Sequence, residues 1–116
     1  MSNEDLVRRF SRVWVTRDYD ELSQIVAEDF VAHNGPDEVR GADGWRKFVE
    51  DGWKQFGAID TGIDEVIEDR GLLAERWWFK AGTGDGAHLS SHGITVHRVV
   101  DGRLQENWAV AASPDE

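Results

Sequence analysis

The chain has 116 residues, enough for one domain with a core but not for two, and its 13 basic against 23 acidic residues leave a formal net charge of −10. That balance repels phosphate backbones and anionic lipid, so neither nucleic acid nor a membrane surface is expected as a partner. There is no cysteine, which excludes disulfides and thiolate metal sites. No apolar run approaches the roughly 18 residues of a membrane span, and the acidic opening Met1-Ser2-Asn3-Glu4-Asp5 is unlike a targeting signal, so a cytoplasmic protein is expected.

In chain order, Ser2 with Asp5 marks a helix start, and Leu6, Val7, Phe10, Val13 and Trp14 recur at helical spacing up to Thr16. Asp18 or Asp20 caps a short second helix in which Leu22, Ile25 and Val26 share a face, and Asp29 to Asn34 reads as extended until Gly35-Pro36-Asp37 ends it. A third helix is predicted from about Asp43 to Phe56, with Trp45, Phe48, Val49, Trp53 and Phe56 on one stripe, stopped by Gly57. From Ala58 the period changes to two: Ile59, Thr61, Ile63, Glu65 and Ile67 form one strand face, and Asp69-Arg70-Gly71 turns the chain. Leu72 to Ala81 is an aromatic-rich strand, and Gly82 to Gly86 is a loop without the lysine and helix of a phosphate-binding turn. His92 to Val100, an Asp101-Gly102 turn and Arg103 to Val110 make a closing hairpin, and Pro114-Asp115-Glu116 is a tail. Helices first and strands afterwards, without alternation, predict an α+β domain over residues 1–116 with helices on one face of an antiparallel sheet.

Asp-Phe-Val-Ala-His-Asn at 29–34, Gly-Ala-Asp-Gly-Trp-Arg-Lys-Phe at 41–48, Ala-Glu-Arg-Trp at 74–77 and Arg-Val-Val-Asp-Gly-Arg-Leu-Gln-Glu-Asn-Trp at 98–108 follow one another in this order. The series resembles the SnoaL-like polyketide cyclases of the nuclear-transport-factor-2-like superfamily. The resemblance implies a curved sheet wrapped around the helices into a cone, an internal ligand cavity and frequent homodimers. In those cyclases an aspartate on the last strand takes a proton beside a carbonyl during aldol closure. Carried over, that position is Ala109. The histidine that several cyclases place on the preceding strand falls at Thr95, and the one before the tryptophan at Asn107.

His33 then stands as the expected acid or base, because histidine is the side chain that changes charge near neutral pH; the alternative is an anchor bonded to nearby backbone. Thr95 and Asn107 are expected to orient a ligand or an oxyanion without titrating, or only to satisfy buried partners. On the strand from Leu72 to Ala81, Arg76, Trp78 and Lys80 alternate with Glu75, Trp77 and Phe79. The resemblance turns Arg76 toward the cavity, where it would pair with a ligand carboxylate; the alternative is an acidic side chain. Trp45, Trp53, Trp77 and Trp78 would form an apolar wall if they face inward, and otherwise core or dimer contact. His88, His92 and His97 do not make a metal site: residues four apart on a strand lie about 13 Å apart, and His97 has the opposite parity.

These readings predict a cofactor-free, metal-free lyase, isomerase or cyclase type of enzyme acting on a small apolar carbonyl or ring compound. His33 would be catalytic, with Asn107, Thr95, Arg76, Trp78, Trp45, Trp53 and Ala109 shaping the substrate site. The alternative is a non-catalytic binding or dimerisation module, which the alanine at 109 favours. A homodimer is expected in either case, because the strands carry apolar residues on both faces and the helices cover only one.

Overall fold

A computed structural model describes residues 1–112, and the Pro114–Glu116 tail lies outside them. Ser2 opens α1 (Asn3–Thr16) with a capping box: its hydroxyl accepts from the Asp5 N–H, and the Asp5 carboxylate accepts from the Ser2 N–H. One face of α1 buries Leu6, Val7, Phe10 and Val13. A single turn at Tyr19–Glu21 leads into α2 (Leu22–Ile25), which puts Leu22 and Ile25 into the core; Asp18, one of the two expected caps, makes no side-chain capping bond.

The extended segment is longer than its polarity suggests. β1 runs Val26–Asn34 and turns at Gly35 (φ 64°) into a short antiparallel partner, β2 (Asp37–Arg40), which periodicity did not predict. Four residues of charged sequence carry no period strong enough to read. α3 (Gly41–Gln55) follows and buries Trp45 and Val49.

β3 (Ala58–Asp69), β4 (Leu72–Gly82), β5 (His88–Val100) and β6 (Arg103–Ala111) form an antiparallel meander. Two of its hairpins turn at Arg70-Gly71 and Asp101-Gly102, where both central residues have positive φ, as the tight turns that match strand twist require. The six strands form one curved, unclosed sheet in the order β2-β1-β6-β5-β4-β3, in which only β1 and β6 run parallel. α1 packs on β3 and α3 on β1, so both long helices fill the concave side of an α+β cone.

Period two groups Ile67 with Ile59, Thr61 and Ile63, but the structure leaves it 64 % exposed. A register shift between Ile63 and Glu65 inserts one residue, which moves every later side chain to the opposite face and packs Val66 against the core instead.

The β4–β5 loop is closed by Asp85, whose carboxylate accepts from the Thr83 hydroxyl and from the Ala87 N–H. The Thr83 bond, and then the Ala87 bond, hold the Asp85 carboxyl below the ordinary carboxylate range. A carboxyl depressed in the folded state stabilises above its unfolded value, and that contribution is lost as pH falls through the depressed one. Acidification is therefore expected to release the Ala87 amide. Its NMR shift should titrate below the ordinary Asp range, and Asp85→Asn should remove the step.

Candidate active site

Between α1, α3 and the concave sheet lies a cavity of about 260 Å³. Phe10, Trp14, Trp45 and Phe48 line it from the helices, and Trp77 and Phe79 from β4. Strand pairing lays its polar floor out in two rows. The first crosses the sheet as Glu75 on β4, Thr95 on β5, Ala109 on β6 and Asn34 on β1; the second sets His97 beside Asn107. All six of these residues line the cavity.

The rows are joined by one contact. His97 Nε2 and Glu75 Oε1 are 2.6 Å apart, diagonal neighbours across β4 and β5 whose side chains are 1 % and 7 % exposed. A carboxylate and an imidazole this deep are retained only with a partner, since desolvating either alone costs several kcal/mol, of order 3 or more. Phe10 packs edge-on to the imidazole, with ring centroids 6.0 Å apart. Among the described residues the other ring nitrogen, Nδ1, is buried without a hydrogen-bond partner, as is the Trp45 indole Nε1. Unpartnered buried polar atoms are rare in native proteins, and both of these belong to residues that line the cavity. Trp77 Nε1 donates to Thr95 Oγ1 at 2.9 Å, which occupies the oxygen as acceptor and leaves the hydroxyl proton to be given elsewhere.

Of the expected site residues, Trp45, Thr95, Asn107 and Ala109 line this cavity, and His33, Arg76, Trp78 and Trp53 do not. Alternation along β1 sends Ala32 and Asn34 inward and His33 to the convex face. There His33 Nε2 meets Glu106 Oε2 at 2.6 Å, and its ring stacks on Trp108. Arg76 also points outward and pairs with Asp64 at 3.2 Å and Glu65 at 3.4 Å, the acidic-partner alternative rather than a ligand clamp. Trp78 lies over Gly62 of β3 on the same outer face, and Trp53 donates its Nε1 to the Trp14 carbonyl beneath the Arg17 guanidinium.

Glu75 and His97 were the residues missed. The signal was a lone carboxylate in the otherwise apolar alternation Leu73-Glu75-Trp77-Phe79-Ala81, together with the parity of His97, opposite to that of His88 and His92. Among the described residues no group of three His, Asp or Glu side chains converges as metal ligands, and no helix is long and apolar enough to cross a membrane.

The family model of the SnoaL-like domain matches residues 7–107. The chain belongs to the SnoaL-like domain family. No curated protein matches it. Among solved structures it is similar to a SnoaL-like polyketide cyclase from Agrobacterium tumefaciens, with a TM-score of 0.81, 14 % identity and coverage of 97 % of this chain and 92 % of that one. IdmH, a candidate polyketide cyclase from Streptomyces antibioticus, aligns with a TM-score of 0.80 and 17 % identity over 96 % of this chain and 92 % of its own. AclR, a candidate hydroxylase from Streptomyces galilaeus, gives 0.78 and 23 % over 95 % of this chain and 74 % of its own. At such identities these likenesses establish the fold of the SnoaL-like domain, and the chemistry rests on the residues in the cavity.

One wall of the SnoaL-like cavity depends on a glycine. Trp77 pairs across the ladder with Gly93, and a Cβ built at 93 would lie 2.5 Å from Trp77 Cζ2 and 2.3 Å from the Val110 carbonyl oxygen. Gly93→Ala is therefore expected to destabilise the fold by about 1–3 kcal/mol. Urea denaturation would show this as a lower midpoint with an unchanged slope.

Proposed function

We propose that this SnoaL-like protein binds a small apolar carbonyl- or ring-bearing molecule in the cavity and moves a proton on it without a dissociable cofactor, in chemistry of the lyase, isomerase or cyclase type. The observation that carries this reading is the buried Glu75–His97 pair in a cavity walled by aromatic rings. His97 Nδ1, the ring nitrogen without a partner, takes the proton from carbon beside a carbonyl, while the Glu75 carboxylate at Nε2 stabilises the imidazolium that forms. The Thr95 hydroxyl and the Asn107 amide then donate to the developing enolate oxygen. In the cyclases the carboxylate belongs at the position of Ala109. Here Glu75 stands in the same row two strands away, roughly 10 Å across the sheet.

A direct test is proton exchange. Aromatic ketones such as 2-tetralone, incubated with the protein in heavy water, should lose their α-protons faster than buffer allows, and saturably. Binding without exchange would favour the second reading, a non-catalytic ligand-binding module, for which the alanine at 109 speaks.

The same proposal includes a homodimer. Ile94 and Val110 are cross-strand partners on the convex face, 52 % and 73 % exposed, and Trp108 lies beside them on β6. Burying such a patch against a second copy would stabilise both. Sedimentation should give a dimer at micromolar concentration and a monomer for Val110→Asp. A monomeric wild type would reject this arrangement while leaving the cavity chemistry untouched.

A further inference from the structure

A second hollow, about 310 Å³, runs along the surface between α1 and β3. Ser11 of α1 and Thr61 of β3 line both this groove and the internal cavity, so two small hydroxyl side chains stand where the spaces adjoin. Arg8 and Arg12 sit one helical turn apart on the α1 bank, and Asp60, Gly62 and Ile63 form the β3 bank. The two guanidiniums are not equivalent. Arg8 is held by Glu4 at 2.9 Å, whereas Arg12 has no ion-pair partner among the described residues. The Asp60 carboxylate opposite accepts from the Thr61 N–H at 2.9 Å. Arg12 lines the groove and not the cavity, and in a chain of net charge −10 it sets an uncompensated guanidinium on the far side of Ser11 and Thr61 from the aromatic rings.

We infer that the ligand of this cavity is an amphipathic acid: its apolar ring body fills the cavity and its carboxylate extends past Ser11 and Thr61 to the Arg12 guanidinium. This rests on the reading that the cavity takes an apolar ring compound. Arg12 is the residue that selects the acid over its neutral analogues, and Asp60 opposes it. A carboxylate accepts two parallel N–H bonds from a guanidinium, a recognition that an ester cannot reproduce.

Isothermal titration of 4-(2-naphthyl)butanoate, its methyl ester and naphthalene against the full chain tests this. The acid is expected to bind about tenfold more tightly than the ester at low salt, the return of one solvent-exposed bidentate ion pair. The margin should shrink as salt screens the exposed groove. Arg12→Gln should abolish the margin with ester affinity unchanged, and Asp60→Asn should widen it. Equal binding of acid and ester, or a margin that survives Arg12→Gln, overturns the inference while leaving the cavity reading in place. If naphthalene and the ester also fail to bind, the cavity reading falls and this inference with it. Arg12 and Asp60 are both exposed, so neither variant is expected to unfold the protein, which a thermal melt checks.

Discussion

Replacing His97 by glutamine is expected to slow proton exchange on a bound ketone by about 10²–10⁴-fold, the usual contribution of a positioned general base. Glutamine approximates the imidazole in length and its amide can still donate to Glu75, so the buried carboxylate keeps a partner and the fold survives. What is lost is the basic Nδ1, the ring nitrogen with no other partner. His33→Gln is the matched control. Its imidazole faces away from the cavity, bound to Glu106 and stacked on Trp108, so exchange should stay within about threefold of wild type. Heavy-water exchange followed by NMR, with ligand affinity measured beside it, separates loss of chemistry from loss of binding. Equal losses in the two variants, or none in His97→Gln, would remove His97 from the mechanism.

The second large effect is on stability. Glu75→Ala leaves a buried imidazole facing a void where its carboxylate stood, and removing one member of a buried pair costs about 3–5 kcal/mol. For a domain of this size that lowers the thermal midpoint by roughly 12–20 °C. Glu75→Gln, which keeps an acceptor at the same distance, should lose much less. The double replacement Glu75→Leu with His97→Phe should recover most of the deficit, because a polar pair exchanged for apolar groups of similar shape leaves nothing unsatisfied. Melts of Glu75→Leu, His97→Phe and the double variant form a double-mutant cycle, and additive losses would show that the two side chains are not energetically coupled. A double variant that is stable yet inactive in exchange would show that the pair is retained for chemistry at a cost to the core.

Much of the fold is legible along the chain because its signals are local. The Ser2–Asp5 box, the helical stripe from Leu6 to Trp14, the stripe around Trp45 and Val49 and the turns at Arg70-Gly71 and Asp101-Gly102 each depend on residues a few positions apart, and each forms as read. The motif order that resembles SnoaL-like cyclases likewise leads to the family and the cone. Thr95, Asn107 and Ala109, the positions that resemblance singles out, line the cavity.

What the tertiary structure decided is phase and register. Alternation gives the period of a strand but not which half of it faces the helices, and on β4 both halves carry tryptophan, so apolarity could not choose between Trp77 and Trp78. The bulge between Ile63 and Glu65 leaves the composition unchanged yet inverts the faces beyond it. The parallel union of β1 with β6 joins segments from opposite ends of the chain and carries His33 outward while turning Asn34 in. Glu75 and His97 stand 22 positions apart, and they meet only because the β4–β5 ladder sets Leu73 opposite His97 and Glu75 opposite Thr95. No local pattern contains that register; it follows from packing the sheet onto a shared core, where shifting a strand by one residue would expose its whole buried face.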